Sequence, residues 1–297
     1  MPSPQASPAP VPSPAELRRI ALDAARAVAP ALAAVFRSDD AAATTKRNHH
    51  DLVTVHDRAT EEALIAALTA AVPGSTVLGE ETGVSAPSGD AAPSLVRWIV
   101  DPIDGTSNFT HGYAMFSVSV AAEVDGEVVA GVVLAPADGL EFSADDAGAY
   151  LGEARLPLRP APASTEDALN IVTSYPAAEA LRREGEGALR RFARLVDAHA
   201  TVRRTVSGAL ELSYVAAGWA DATLAVDTHP WDIAAGQLLV ARAGGTLTPA
   251  DDAGLAPGLA PHLAPHLLAV GPGRQATTAR AVLEELTADR TRQAAAG

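Results

Sequence analysis

The order of patterns along the chain predicts an α+β half packed against an α/β half. Between Met115 and Ser143 three β-rich runs, Met115 to Val124, Glu127 to Leu134 and Leu140 to Ser143, are separated by Asp125-Gly126 and Ala137-Asp138-Gly139. Those separators are hairpin signals, so this region reads as an antiparallel meander. Beyond about Pro160, β-type runs near Leu169–Ser174, Val202–Val206, Ala222–Val226, Gly245–Leu247 and Leu267–Val270 alternate with helical stretches, which marks an α/β arrangement. The 297 residues are 48% apolar, enough for a sizeable core in one large domain or two closely packed halves.

Taken in order, residues 1–13 are rich in Pro, Ser and Ala and read as a disordered tail. They lack the basic start and apolar centre of a signal peptide. Ser13-Pro14-Ala15-Glu16 is a capping box with Pro at the first helical position. It opens a helix to about Phe36, along which Leu17, Ile20, Ala24, Val28 and Leu32 repeat at helical spacing. A basic, His-rich loop around Lys46, His49 and His50 follows. Asp57 opens a second helix, with Leu64, Ile65 and Leu68 on one side, stopped by Pro73-Gly74. A strand leads to Glu80, Thr82 to Ser94 reads as a loop, and the apolar run Leu95–Val100 reads as a strand ending in Asp101. The last helix spans about Gln275–Ala288, and the chain end reads as frayed. The resulting division is a tail (1–13), an α+β half (14–158), an α/β half (159–290) and a frayed end (291–297). Residues with chemistry fall in both halves, so a site belongs in the crevice between them.

A net charge of −14 argues against a nucleic-acid surface, because polyanion binding relies on Lys and Arg neutralising phosphates. It suits a soluble cytoplasmic protein that binds cations locally. The chain has no cysteine, which excludes disulfides, thiolate metal sites and a Cys nucleophile. No uninterrupted apolar run reaches about 18 residues, so no membrane-spanning helix is expected. The chain carries no H-E-x-x-H, no G-x-S-x-G and no Walker loop, which leaves zinc hydrolysis, serine hydrolysis and P-loop chemistry without support.

The most informative run is Trp98-Ile99-Val100-Asp101-Pro102-Ile103-Asp104-Gly105-Thr106-Ser107-Asn108. Pro102 fixes its own φ and biases Asp101 to extended geometry, so Asp101 and Asp104 can face one cation with the Ile103 carbonyl between them. Hard cations such as Mg²⁺ take oxygen ligands completed by water and substrate phosphate. The N–H groups that follow, at a helix start, offer an anion site. Glu80, after an apolar run, and Asp232, in His229-Pro230-Trp231-Asp232, add carboxylates. Alone, each has a plain structural use: Glu80 in a solvated Glu pair, Asp232 and Asp57 as helix caps. Together, Glu80, Asp101, Asp104 and Asp232 form an all-oxygen set that would repel and partly protonate unless cations neutralised it. His111 and His229 flank these runs and serve equally well as surface or packing residues.

Lys46 with Asp51-Leu52-Val53-Thr54 and Asp57, then Gly79-Glu80-Glu81, the Asp101–Phe109 run and Trp231–Gly236 occur in an order and spacing that resemble the inositol monophosphatase family of Mg²⁺-dependent, lithium-sensitive phosphomonoesterases. The similarity spans roughly Ala15 to Ala288. The resemblance implies a layered αβαβα sandwich of the sugar-phosphatase type, two or three Mg²⁺ ions and, as is usual in that family, a homodimer. It implies metal ligation by Glu80, Asp101, the Ile103 carbonyl, Asp104 and Asp232. Gly105 and Thr106 would bind phosphate through N–H groups, and Thr106 with Asp57 would activate water. Lys46 matches a basic position that would steer phosphate. Two departures concern the substrate wall. Ala225 stands where inositol-selective members carry a sugar-contacting Glu; Asp227 is a substitute contact from two residues away, and His229 a further one. Val206 stands where a Gly is common. The expectation is hydrolysis of a small polyol or sugar phosphate, inositol-1-phosphate-like. Histidinol phosphate, fructose 1,6-bisphosphate and 3′-phosphoadenosine 5′-phosphate stay open as substrates, and a non-catalytic phosphate- and metal-binding regulator is the rival class.

Overall fold

The computed structural model describes residues 11–38, 44–45, 52–53, 55–85, 92–158 and 165–296. Most of the expected N-terminal tail, and Lys46, His49 and His50, lie outside the described residues.

The first helix, α1 (Pro14–Val35), starts at the expected capping box. The Ser13 hydroxyl accepts the Glu16 N–H, and the Glu16 carboxylate accepts the Ser13 N–H at 2.9 Å. The short strands β1 (Thr44–Thr45) and β2 (Leu52–Val53) pair antiparallel before α2 (Val55–Ala71). Helix α2 begins two residues before Asp57, so Asp57 lies inside its first turn.

An eight-stranded sheet follows, formed by β3 (Thr76–Gly79), β4 (Gly83–Ser85), β5 (Val96–Asp104), β6 (Ser117–Val124), β7 (Glu127–Ala135), β8 (Leu140–Ala144), β9 (Ala149–Leu151) and β10 (Ala154–Arg155). From β5 to β10 it is the expected antiparallel meander, with neighbours in sequence order, and β3 adds parallel to β5. Strand β4 corrects the expected loop after Thr82: Gly83 to Ser85 fold back on β3. The short helix α3 (Thr106–Thr110) leaves the end of β5.

The second sheet has six strands. They are β11 (Asn170–Thr173), β12 (Thr201–Arg204), β13 (Ala222–Val226), β14 (Thr246–Asp251), β15 (Gly254–Leu255) and β16 (His266–Val270), in the order β12-β11-β13-β16-β14-β15. Pairing is parallel from β12 to β13 and antiparallel beyond. Its helices are α4 (Ala178–Glu184), α5 (Glu186–Ala198), α6 (Gly208–Ala217), α7 (Pro230–Arg242) and α8 (Thr277–Ala296).

Period-2 alternation fixes the layering. Trp98 and Val100 on β5 pack with α1 and α2, while Ile99 between them packs with α6 and α7. The far side of the α6–α7 layer meets Val172, Leu267 and Ala269 of the second sheet. Leu195 of α5 and Val282 and Leu283 of α8 cover that sheet's outer face through Ile171, Leu224 and Leu268. The result is a layered αβαβα sandwich. Among the described residues, no helix is long and apolar enough to cross a membrane.

Helix α8 continues to Ala296, through most of the expected tail 291–297. Arg290 is fully buried and ion-paired, and the Thr291 hydroxyl donates to the Asp252 and Thr287 carbonyls, which anchors the last turns.

Candidate active site

The end of β5 builds the centre of the site. The Asp101 carboxylate accepts the Ile103 N–H at 3.0 Å, the local turn that an Asp before Pro favours. The ladder between β5 and β6 shifts register between Asp101 and Asp104, which brings the second carboxylate back to the same region. Asp104 accepts the Gly208 N–H at 3.0 Å, the Ala209 N–H at 3.1 Å and the Ser207 hydroxyl. The first turn of α6 therefore docks on Asp104, and the helix dipole favours that negative charge.

Asp232 enters from the start of α7, where it accepts the His229 N–H at 2.7 Å. The N-cap of α7 is His229 and not the expected Asp232, which sits at the third helical position and caps the His229 N–H from there. Ligand oxygens of Asp101, Asp104 and Asp232 all lie within 4.8 Å of one another. Glu80 follows β3, whose Gly79 pairs with Val100, and the Glu80 N–H donates to the Val100 carbonyl. That register puts Glu80 beside Asp101.

The electrostatics follow from this crowding. Burial, and then the charges of Glu80, Asp104, Asp232 and Asp57, push the Asp101 carboxyl well above the usual carboxylate range. Burial raises Asp104 to about 7, against the Ser207 hydrogen bond; the Asp232 charge adds to the rise and the Ala209 N–H opposes it. The donors are all oxygen, which fits a hard divalent cation.

Beside the carboxylates, the Thr106 hydroxyl lies 3.1 Å from Asp57 Oδ1 and 3.0 Å from the Ile103 carbonyl. Its single proton serves one of these acceptors at a time. Gly105 precedes α3 at φ 90°, in the left-handed region, and a Cβ there would stand 2.9 Å from the Met115 carbonyl. Only glycine fits this turn.

The substrate-wall candidates are arranged differently. Asp227 does not turn a free carboxylate to a ligand: both its oxygens accept from Arg290, one at 2.7 Å. The His229 ring is exposed and stacks on Trp231 with centroids 4.9 Å apart. His111 bonds the Ser107 carbonyl at 2.7 Å. Val206 adopts φ 57°, a conformation glycine takes freely, in keeping with the Gly expected there.

A model of the inositol monophosphatase family matches residues 13–291. The chain belongs to the inositol monophosphatase family. It is 38% identical over 230 residues to a Nus factor SuhB of Pseudomonas aeruginosa, covering 77% of this chain and 83% of that protein. It is 37% identical over 202 residues to an inositol-1-monophosphatase of Mesorhizobium japonicum, covering 68% and 73%. Among solved structures, the extragenic suppressor protein suhB of Bartonella henselae superposes with a TM-score of 0.76 at 28% identity, covering 90% of this chain and 98% of that one. An inositol monophosphatase of Thermotoga maritima gives 0.74 at 28% identity, covering 92% and 98%.

Sequence reasoning missed three supports in this family member. Ser207 and the α6 N–H groups on Asp104 lie more than a hundred residues from it in the chain. The Asn108 amide donates to the Met115 and Thr205 carbonyls, both at 2.7 Å, tying α3 to the chain before α6. Glu61, fully buried, was readable only as the residue one turn after Asp57.

Proposed function

We propose that this chain is a Mg²⁺-dependent phosphomonoesterase acting on a small polyol or sugar phosphate, inositol-1-phosphate-like. The observation that carries the reading is the convergence of Asp101, Asp104 and Asp232 beside the Thr106–Asp57 pair. Glu80, Asp101, the Ile103 carbonyl, Asp104 and Asp232 would hold the cations. When bound, such cations lower the pKa of water and stabilise charge on phosphate and leaving oxygen. The chain's own groups do the rest. Gly105 and Thr106 give N–H groups to the phosphate at the start of α3. The Thr106 hydroxyl takes a proton from the attacking water as its own proton moves to Asp57, which ends protonated and returns that proton to solvent. Water oxygen bonds to phosphorus, the ester P–O bond breaks opposite it, and the departing alkoxide takes up a proton. Lys46 belongs to this reading as a phosphate-steering cation, and His229, exposed beside Asp232, as a substrate contact.

Ala225 leaves the sugar-contacting position without a carboxylate. Histidinol phosphate, fructose 1,6-bisphosphate and 3′-phosphoadenosine 5′-phosphate therefore belong in the same assay. Relatives called Nus factors favour a second reading, a regulator that binds metal and phosphate without turnover. Phosphate release from this panel, with and without Mg²⁺ and lithium, separates the two. Hydrolysis that requires Mg²⁺ and is lost in Asp101→Asn supports the enzyme; no release from any ester overturns it.

A further inference from the structure

Helix α2 turns two fully buried carboxylates, Asp57 and Glu61, four residues apart, to the side where the site is built. Asp57 meets Thr106. Glu61 meets the chain just after Glu80: its Oε2 accepts the Glu81 N–H at 2.9 Å, and its Oε1 accepts the Thr82 N–H at 2.8 Å and the Thr82 hydroxyl at 2.6 Å. Gly79 closes over the same carboxylate, since a Cβ there would stand 2.5 Å from Glu61 Cδ. Glu80 is thus anchored on both sides. Its own N–H is tied to β5 through the Val100 carbonyl, and the next two N–H groups are tied to Glu61. No ordinary turn needs a buried carboxylate for this. Three donors converging on the two oxygens of one buried carboxylate make a stiff mount.

We propose that Glu61 is a positioning residue: by fixing the turn after β3 it holds the Glu80 carboxylate beside Asp101 and so sets the affinity of the site for divalent cations. The inference rests on the reading of Glu80 as a cation ligand. Helix α2 then serves both halves of the chemistry, with Asp57 setting the Thr106 hydroxyl and Glu61 setting the cation cage. Second-layer groups of this kind typically change metal affinity by about 10- to 100-fold.

The test is a calorimetric titration of the full chain with Mg²⁺ for wild type, Glu61→Gln, Glu80→Gln and the double variant. Glutamine keeps the shape but puts an NH₂ group against one of the backbone N–H donors. We expect Glu61→Gln to weaken Mg²⁺ binding by about 10-fold or more, and the double variant to bind no more weakly than Glu80→Gln alone, because Glu61 acts through Glu80. Thr82→Val removes only the hydroxyl contact at an exposed residue and should weaken binding by a smaller factor; it carries the test if Glu61→Gln does not fold. Wild-type affinity in both Glu61→Gln and Thr82→Val overturns the proposal, as do losses that simply add to that of Glu80→Gln. Failure of the wild type to bind Mg²⁺ overturns the cation-site reading itself, and the positioning role with it.

Discussion

Two acidic clusters in this molecule are built in opposite ways. Under α8, Arg191 and Arg290 are fully buried, and every carboxylate around them has a guanidinium. Glu184 meets Arg191 at 2.9 Å and Arg290 at 2.7 Å, Asp227 meets Arg290, Asp252 meets Arg183 at 2.8 Å, and Asp289 meets Arg191. Burial by itself would raise the Asp252 carboxyl, yet bonds from Arg183, His266 and Arg290 hold it well below its ordinary value. At the end of β5, Asp101 and Asp104 are just as enclosed but face Asp232 and Glu80, and both carboxyls are raised. Arginine compensates the first cluster, whereas in the second the carboxylates raise one another, a crowding that a bound divalent cation would relieve. The first holds the chain together; the second is held together by the rest of the chain.

Removing one charged group should therefore have opposite signatures in the two places. Asp101→Asn removes a central carboxylate of the proposed cation site, and phosphate release with Mg²⁺ should fall by more than about 100-fold, the upper end for loss of a mere supporting group. The metal-free variant should melt higher than wild type, because one repelling charge is gone. A variant that keeps near-normal Mg²⁺-dependent turnover breaks the contrast. In the compensated cluster, Arg290→Met takes one of two guanidinium partners from the buried Glu184 and the bidentate partner from Asp227, and should cost about 3 kcal/mol in denaturant unfolding, the lower end for loss of one partner of a buried pair. An unchanged unfolding midpoint would show that the α8 network does not stabilise the fold.

How much of this contrast could be read along the chain depends on distance in sequence. The Asp101–Thr106 run is local: Pro102, the paired carboxylates and the glycine act within six residues, so their joint purpose was legible. The Ser13–Glu16 box was legible for the same reason. The Arg290 network was not, because Arg290 and Asp227 are 63 residues apart and nothing local distinguishes Arg290 from a solvated helix-end arginine. A lone short element such as β4 escapes for another reason: three residues carry too little periodicity to stand out from a turn.

Acidity sharpens the comparison. Asp104 has an ordinary value of 3.8 and is raised to about 7 in the folded chain. Between those values the folded state keeps a proton that the unfolded state has released. Metal-free protein should therefore lose stability as pH rises from about 4 to 7, by up to about 1.4 kcal/mol per pH unit for each such proton. Asp252 acts the other way: its stabilisation is present above 3.8 and is lost as pH falls below that. Added Mg²⁺ should cancel the first trend and leave the second untouched. Melting curves over pH 4 to 8 with Mg²⁺ or a chelator test this; equal slopes with and without Mg²⁺ would contradict a cation site at these carboxylates.

The smallest expected effect lies in the backbone. Val206, beside the Gly105 turn, and Asp227, in the α8 network, share φ 57°. Aspartate tolerates the left-handed region comparatively well, and here its carboxylate is also held by Arg290. A β-branched valine has neither advantage, and Val206 remains largely exposed, so no burial offsets its strain. Val206→Gly should accordingly raise the unfolding free energy by about 1 kcal/mol, less than the full relief because glycine also loosens the unfolded chain. Asp227→Gly relieves little and removes an ion-pair partner of the buried Arg290, so it should destabilise. The two substitutions make the same change at the same φ, and denaturant midpoints that move in the same direction would mean that backbone strain, not the partner of each side chain, governs both positions.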